Sequence, residues 1–592
     1  MNTKWSLDEL YASFKADDFK GDMEKVGKLI EDFKEWAERS LQSLENKEEK
    51  IEYTIRANVK LTEIFTKLIT YCFLVTSTDA RNETALSTAE KLQVMYNELT
   101  EPTVRFEKWL TTIEDLDAVI GSSPLIEEHS YYLKKIVENS KYLLGEELES
   151  LIAKMTNSGS RAWAKLQNML LSTLLVEIEQ EGELEKLPLP VIRNMAYDAD
   201  ADIRKKAYDA ELKAYNKIEE SSAACLNGIK GEAITVAGLR GYTSPLDEAL
   251  LKSRMDRQAL DAMLEAMKES LPDFHKYFGK KGQILGHKKG LPFYDMFAPI
   301  GSEDMTFTYE EAKNYIVKSF RTFSDKLADY TQNAFDKRWI DAYPRDGKQG
   351  GAFCSNIHPI GESRILANFD GSFYNVSTLA HELGHGYHGY CLKDESILNS
   401  SYPMPIAETA SIFCETIIKN AAIKDATPEQ AFGILERSIS DSAQVIVDIY
   451  SRFLFESELF ERRTDCALSV NELKDAMVRA QKKAYGDGLD HDYLHPYMWV
   501  NKTHYYQADR NFYNFPYAFG LLFANGVYAE YLRRGSEFVP EYDKLLNSTG
   551  IKDIADVTKM VNIDVHSVEF WRNSLKLVKE DIDKFISIAD QV

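Results

Sequence analysis

The residues of this chain best placed to do chemistry lie in one short run, His381-Glu382-Leu383-Gly384-His385. Side chains four apart on a helix stand above one another on one face, so His381 and His385 can offer imidazole nitrogens to a single metal ion. Glu382 sits one step round the cylinder, placed to take a proton from a water that such an ion activates. That is a hydrolytic site in outline. With 11 histidines in 592 residues, a chance match to this motif arises in about one such chain per hundred, so the context has to support it.

The flanking pattern does support it. Val376, Leu379, Ala380, Leu383, Tyr387 and Tyr390 recur at helical spacing and form one apolar stripe, while the two histidines project from another face. Gly384, Gly386 and Gly389 each cost about 1 kcal/mol relative to alanine in a helix, which predicts that a neighbouring helix or an extended substrate comes close.

A catalytic zinc takes three protein ligands and leaves one position for water. The metzincin pattern is excluded, because Cys391 stands where its third histidine belongs and His388 where it requires glycine. His388, three residues past His385, would crowd one side of the metal. Asp394 and Glu395 follow the expected helix end, where orientation is loose. Glu408 projects from the next helical segment and completes a His₂Glu set, so it is the expected third ligand. Glu415, seven residues further on, suits a carboxylate that fixes a ligand histidine's tautomer, although an ordinary surface role competes with it.

The elements that must position these groups are mostly helical. Long amphipathic patterns cover Asp18 to Ser43, Lys47 to Thr76, Ala80 to Leu110 and Ser130 to Ser140, resume from Leu189 to Ala237, and span Leu246 to Leu271. Thr173 to Glu179 alternates as a strand would. The clearest β signal is a hairpin, Gly350 to Cys354 and Arg364 to Phe369, immediately before the motif. An exposed edge there would accept an extended peptide by main-chain hydrogen bonding. Pro403-Met-Pro405 starts a helix expected to run through Glu408 to Ile418. Late in the chain, Tyr493 to Phe519 reads as a strongly aromatic loop. The division expected is a helical N-terminal lobe over residues 1–190 and a catalytic domain over 191–592.

At 44% apolar residues the chain can bury substantial cores, and a net charge of −23 argues against nucleic acid or an anionic membrane as the main partner. Six scattered cysteines without a Cys-x-x-Cys pair argue against a disulfide scaffold and a thiolate zinc site. No stretch approaches the ~20 apolar residues of a membrane span, and the start lacks a basic and apolar leader, so a cytoplasmic location is expected.

Together these pieces resemble the oligoendopeptidase F branch of the M3, thimet oligopeptidase, family of metallopeptidases. The resemblance runs through Trp5-Ser-Leu-Asp-Glu-Leu-Tyr11, Gly241-Tyr-Thr-Ser-Pro-Leu, Leu291-Pro-Phe-Tyr-Asp295, Gly351-Ala-Phe-Cys354, Ser377 to His385, Ile406-Ala-Glu408 and His504-Tyr505. It implies a mainly α, two-lobed helical shell around a deep channel, with one zinc held by His381, His385 and Glu408 and with Glu382 as general base. It further implies that His504 and a tyrosine of the late aromatic segment, Tyr517 first and Tyr513 second, stabilise the oxyanion. The expected activity is hydrolysis of internal bonds in short unfolded oligopeptides, with folded proteins excluded by the channel. Alternatives are an exopeptidase on the same scaffold or a helical peptide-binding protein that has kept a dead motif.

Overall fold

The computed structural model describes residues 3–180, 182–301 and 305–591. Helices dominate and the sheets are small, as expected. The chain forms two compact units, one of Met1–Tyr142, Asp304–Ala421 and Glu530–Asn562, the other of Leu143–Glu303, Ala422–Ala529 and Ile563–Val592.

In the first unit, helices Asp17–Ser40 and Lys47–Thr78 bury Phe19, Val26, Ile30, Phe33, Leu61, Leu68 and Leu74 in one core. The expected hairpin is there, shifted by a few residues: Phe353–Ile357 pairs antiparallel with Glu362–Leu366. A third strand, Ile340–Asp341, runs parallel to Glu362–Leu366, so Phe353–Ile357 lies at an edge. Two residues carry no readable period, which is why the sequence does not announce this strand.

Two devices fix the hairpin. Ile357 and Leu366 insert into the core of the N-terminal helices. The fully buried Arg364 donates to the Ser6 carbonyl at 2.6 Å and pairs with Glu9 at 2.9 Å. The motif helix, Phe373–Cys391, packs against both hairpin strands. Ser372 caps it by accepting from the Asn375 N–H, and Val376, Leu379, Ala380, Leu383 and Tyr387 of the apolar stripe are buried.

The second unit packs Arg257–Ile284 against Val568–Ala589, and Ile449–Arg463 against Val470–Tyr485. The pattern over Leu246 to Leu271 is two helices, Pro245–Lys252 and Arg257–Ile284, divided at Arg254, whose φ is +50°. The second helix runs through Pro272, because Leu271, Phe274, Tyr277 and Phe278 continue its buried face beyond it. The alternating stretch near Thr173 is a strand, Leu175–Gln180, paired with Glu183–Pro188. Helix Pro428–Ala443 passes into Ile449–Arg463 through a π-helical turn, Gln444–Asp448.

Candidate metal centre

The motif histidines and Glu408 meet in the first unit. His381 Nε2 and His385 Nε2 lie 3.1 Å apart, and Glu408 Oε2 is 3.4 Å from each. Metal–ligand bonds of about 2.0–2.1 Å at tetrahedral angles would set donor atoms about 3.3 Å apart, so this triangle fits zinc without rearrangement. It is the one cluster of three possible metal ligands among the described residues.

Glu408 does not stand within a helix, contrary to the continuous helix read from Pro403 onwards. It occupies the joint between Met404–Ala407 and Thr409–Asp425, with φ −86° and ψ 1°. The joint is held locally: Ser411 Oγ donates to the Glu408 carboxylate at 2.7 Å and lies 3.0 Å from its carbonyl oxygen.

Both rings are oriented from behind. His381 Nδ1 faces Glu415 Oε1 at 3.3 Å, so that side carries a proton and Nε2 is the atom turned to the centre. The Ala407 carbonyl accepts from His385. Two ring nitrogens at 3.1 Å share at most one proton. Burial works to lower the pKa of His381, but the Glu415 hydrogen bond and the charges of Glu415, Glu408 and Glu382 raise it to about 9. Burial and the His381 charge push His385 down against the pull of Glu408.

Glu382 is buried beside the histidines. Burial, helped by the Glu408 and Glu415 charges, pushes its carboxyl up to about 7, against the His381 charge and a hydrogen bond from the Cys354 backbone N–H. That N–H belongs to the edge strand, so the hairpin positions this carboxylate. Asn356 of the same strand donates to the His385 carbonyl at 3.0 Å while its own oxygen accepts from Ser363 at 2.8 Å.

The glycines explain these approaches. A Cβ on Gly384 would fall 2.5 Å from the Ala410 carbonyl oxygen and 2.6 Å from Ser411 Cα, and one on Gly389 would collide with Asn356. His388 is engaged elsewhere: it is fully buried, bonded to Thr549 Oγ1 at 2.9 Å and stacked on Tyr402, and burial lowers it to about 3. Glu395 accepts from Asn547 at 3.0 Å.

His504, Tyr513 and Tyr517 form a separate cluster in the second unit. The His504 and Tyr513 rings meet edge-on at 5.2 Å, and the Tyr517 hydroxyl donates to that of Tyr513 at 3.0 Å. The aromatic stretch is only partly loop: Thr503–Tyr506 is a 3₁₀ turn and Tyr517 stands in the first turn of helix Phe515–Arg534. Phe512 precedes Tyr513 at φ +53°, a left-handed conformation uncommon for an aromatic residue. Burial and the nearby Arg452, Lys502 and Lys230 charges lower His504 to about 4. The roles of the Cys354 N–H, Asn356 and Ser411 carry no signature of their own in the sequence, although Gly389 hints at the close approach of Asn356.

Two histidines and a glutamate converging on a point, with a buried carboxylate alongside, form the donor set of a metal-dependent hydrolase. The chain belongs to peptidase family M3: the model for Peptidase family M3 matches residues 194–577, and that for Oligopeptidase F matches residues 111–174. It is similar to oligopeptidase PepF of Bacillus subtilis, 23% identical across 99% of this chain and 87% of that one. It is also similar to an oligoendopeptidase F homolog of Borreliella burgdorferi, 24% identical with 98% of each chain covered. A solved chain from Chlamydophila abortus shares the fold with a TM-score of 0.87 at 22% identity, covering 99% of this chain and 98% of that one. Oligoendopeptidase-F from Enterococcus faecium follows with a TM-score of 0.69 at 18% identity over 97% and 99%. The protein is a metallopeptidase.

Proposed function

We propose that this metallopeptidase is a zinc-dependent endopeptidase of short, unfolded oligopeptides, acting in the cytoplasm. The observation that carries the reading is the ligand triangle of 3.1 and 3.4 Å edges, with Glu382 beside it and Glu415 behind it. His381, His385 and Glu408 would hold the zinc. When bound, zinc supplies Lewis acidity, polarising the scissile carbonyl and lowering the pKa of water towards about 7.

The chain's own residues do the rest. Glu382 removes the water's proton as the oxygen attacks the carbonyl carbon, then returns it to the departing amine as the C–N bond breaks. A buried carboxylate next to the ligand histidines can accept that proton and release it again. Glu415 and the Ala407 carbonyl hold the two rings in the tautomers that ligation needs. His504 is held neutral, so its one N–H, together with a hydroxyl from Tyr517 or Tyr513, serves as a donor to the oxyanion. Such donors are worth about 3–4 kcal/mol each when removed. The free side of Phe353–Ile357 offers main-chain groups to an extended peptide, which favours unfolded substrates over folded ones.

The test joins metal analysis to a cleavage map over peptides of graded length, blocked at both ends. One zinc per chain and internal cuts in the blocked peptides are expected. Blocked peptides left intact, while unblocked ones lose residues from a free end, would replace the reading with an exopeptidase. Peptide binding without metal or cleavage would leave a dead binding protein.

A further inference from the structure

Two glycines of the motif helix make room for side chains rather than for a neighbouring backbone. A Cβ on Gly386 would collide with the Tyr330 hydroxyl and stand 3.2 Å from Ser363 Oγ, and one on Gly389 would collide with the Asn356 amide. Helix propensity favours alanine over glycine at both positions, so the helix gives up stability to admit three polar side chains.

Those side chains form one hydrogen-bonded chain inside the first unit. The Tyr330 hydroxyl, on helix Asp325–Asp336, donates to Ser363 Oγ at 3.1 Å. Ser363 Oγ donates to Asn356 Oδ1 at 2.8 Å, the two residues standing directly opposite each other in the hairpin. Asn356 Nδ2 then donates to the His385 carbonyl at 3.0 Å. Each hydroxyl has one proton to give, so the chain runs in a single direction and reaches the motif helix through Asn356. Tyr330 and Ser363 are buried, which keeps water from competing for these bonds.

Asn356 and Cys354 are two apart on the edge strand and share one side of it. Cys354 gives its N–H to the Glu382 carboxylate, whereas Asn356 gives its amide to the helix backbone three residues further on. A carboxylate can swing to follow its donor; a helical carbonyl cannot. The bond to the His385 carbonyl is therefore the one that fixes how far the strand slides along the helix. An amide meets both demands of the place, accepting from Ser363 while donating to the carbonyl.

We propose that Asn356 is a positioning residue for hydrolysis: its bond to the His385 carbonyl sets the register of the edge strand on the motif helix, and that register brings the Cys354 N–H to Glu382. The inference rests on the reading of Glu382 as the group that takes the water's proton.

The experiment measures kcat, KM and zinc content on the zinc-loaded full chain for two variants. Asn356→Leu keeps the volume and loses the donor; Asn356→Ala joined to Gly389→Ala refills the space from the helix side. Both should hold one zinc and cleave with kcat lowered about 10–100-fold and KM within about two-fold of wild type. A side chain that only fills space predicts wild-type kcat for the double variant. Additivity gives a second reading: Asn356→Leu added to Glu382→Gln should cost no more than about two-fold further, because a residue acting through Glu382 has nothing left to position. Wild-type kcat in Asn356→Leu, recovery in the double variant, or an undiminished loss in the Glu382→Gln background overturns the proposal. So does a fall in zinc affinity with unchanged kcat at zinc saturation, which would place the effect on His385 instead. In each of these cases Glu382→Gln alone still loses turnover and the base assignment stands; full turnover by zinc-loaded Glu382→Gln takes down that assignment and this proposal together.

Discussion

Gly384→Ala tests the geometry of the metal centre with one carbon atom. The new Cβ would sit 2.5 Å from the Ala410 oxygen, 2.6 Å from Ser411 Cα and 2.8 Å from the Ala410 carbonyl carbon. Non-bonded carbons settle at about 3.5–4.0 Å, so the motif helix and the start of Thr409–Asp425 must separate by about 1 Å. Glu408 is the residue immediately before that second helix. If half the separation reaches its carboxylate, the 3.4 Å edges to the two histidines open towards about 4 Å, outside the roughly 0.2 Å tolerance of a zinc site. Overpacking costs about 1–3 kcal/mol, and replacing a helical glycine with alanine offsets about 1 kcal/mol of it. Stability should therefore fall by no more than about 2 kcal/mol, while zinc affinity falls at least ten-fold.

Chelator competition gives the zinc affinity, and thermal unfolding of the metal-free chain gives the stability. Gly238→Ala is the matched control: it also lies inside a helix, Glu219–Arg240, but a Cβ there meets nothing within 4 Å. The control should bind zinc normally and gain up to about 1 kcal/mol of stability. Wild-type zinc affinity in Gly384→Ala would refute the claim that close helix contact sets the ligand triangle.

The remaining expectations are shorter. Glu382→Gln should keep its zinc and lose about 10²–10⁴ in kcat; substantial turnover by a zinc-loaded variant would remove Glu382 from its role as base. Glu415→Ala should lower zinc affinity by about 10–100-fold, through loss of the proton acceptor at His381 Nδ1, and unchanged affinity would return Glu415 to the status of a helix-surface carboxylate. Asp341→Asn removes a fully buried carboxylate held by Arg345 at 2.6 and 2.9 Å and by Lys348 at 2.8 Å, at a cost of about 3–5 kcal/mol, to be read in thermal unfolding. Burial raises the Asp341 carboxyl, but those two cations outweigh it and hold the carboxyl below its ordinary value. Its contribution is therefore complete above about pH 4 and is lost as pH falls through the depressed value, a loss the Asn variant should lack.

What the sequence makes legible is what local periodicity encodes. The motif helix could be read because its apolar stripe and its histidines follow one spacing, and the structure buries Val376, Leu379, Ala380, Leu383 and Tyr387 of that stripe. The three glycines could be read as sites of close approach because each violates helix propensity for no local reason. The hairpin was legible in kind and misplaced by a few residues, since alternation marks a strand better than its ends. Helix Arg257–Ile284 defeated the reading at Pro272: a proline removes one hydrogen bond, and the packing of a buried face that continues past it outweighs the loss.

The break at Glu408 shows where local reading stops. Nothing in Met404-Pro-Ile-Ala-Glu-Thr-Ala marks a joint, since both prolines precede it and no glycine follows. The joint follows from two contacts distant in sequence or invisible in pattern: the Ala410–Ser411 backbone pressed against Gly384, and the Ser411 hydroxyl closing on the Glu408 carboxylate. A carboxylate carried inside a regular helix would be aimed by that helix's axis. At a joint its direction is set by the contact with the motif helix, so the proposed third ligand is positioned by the same approach that the glycine permits. The same holds for Glu382, which is oriented by the backbone N–H of Cys354, a group every residue but proline possesses and no sequence pattern can advertise. The motif thus carries two of the proposed ligands and the proposed base, and the packing around Gly384 and Gly389 decides where all of them point.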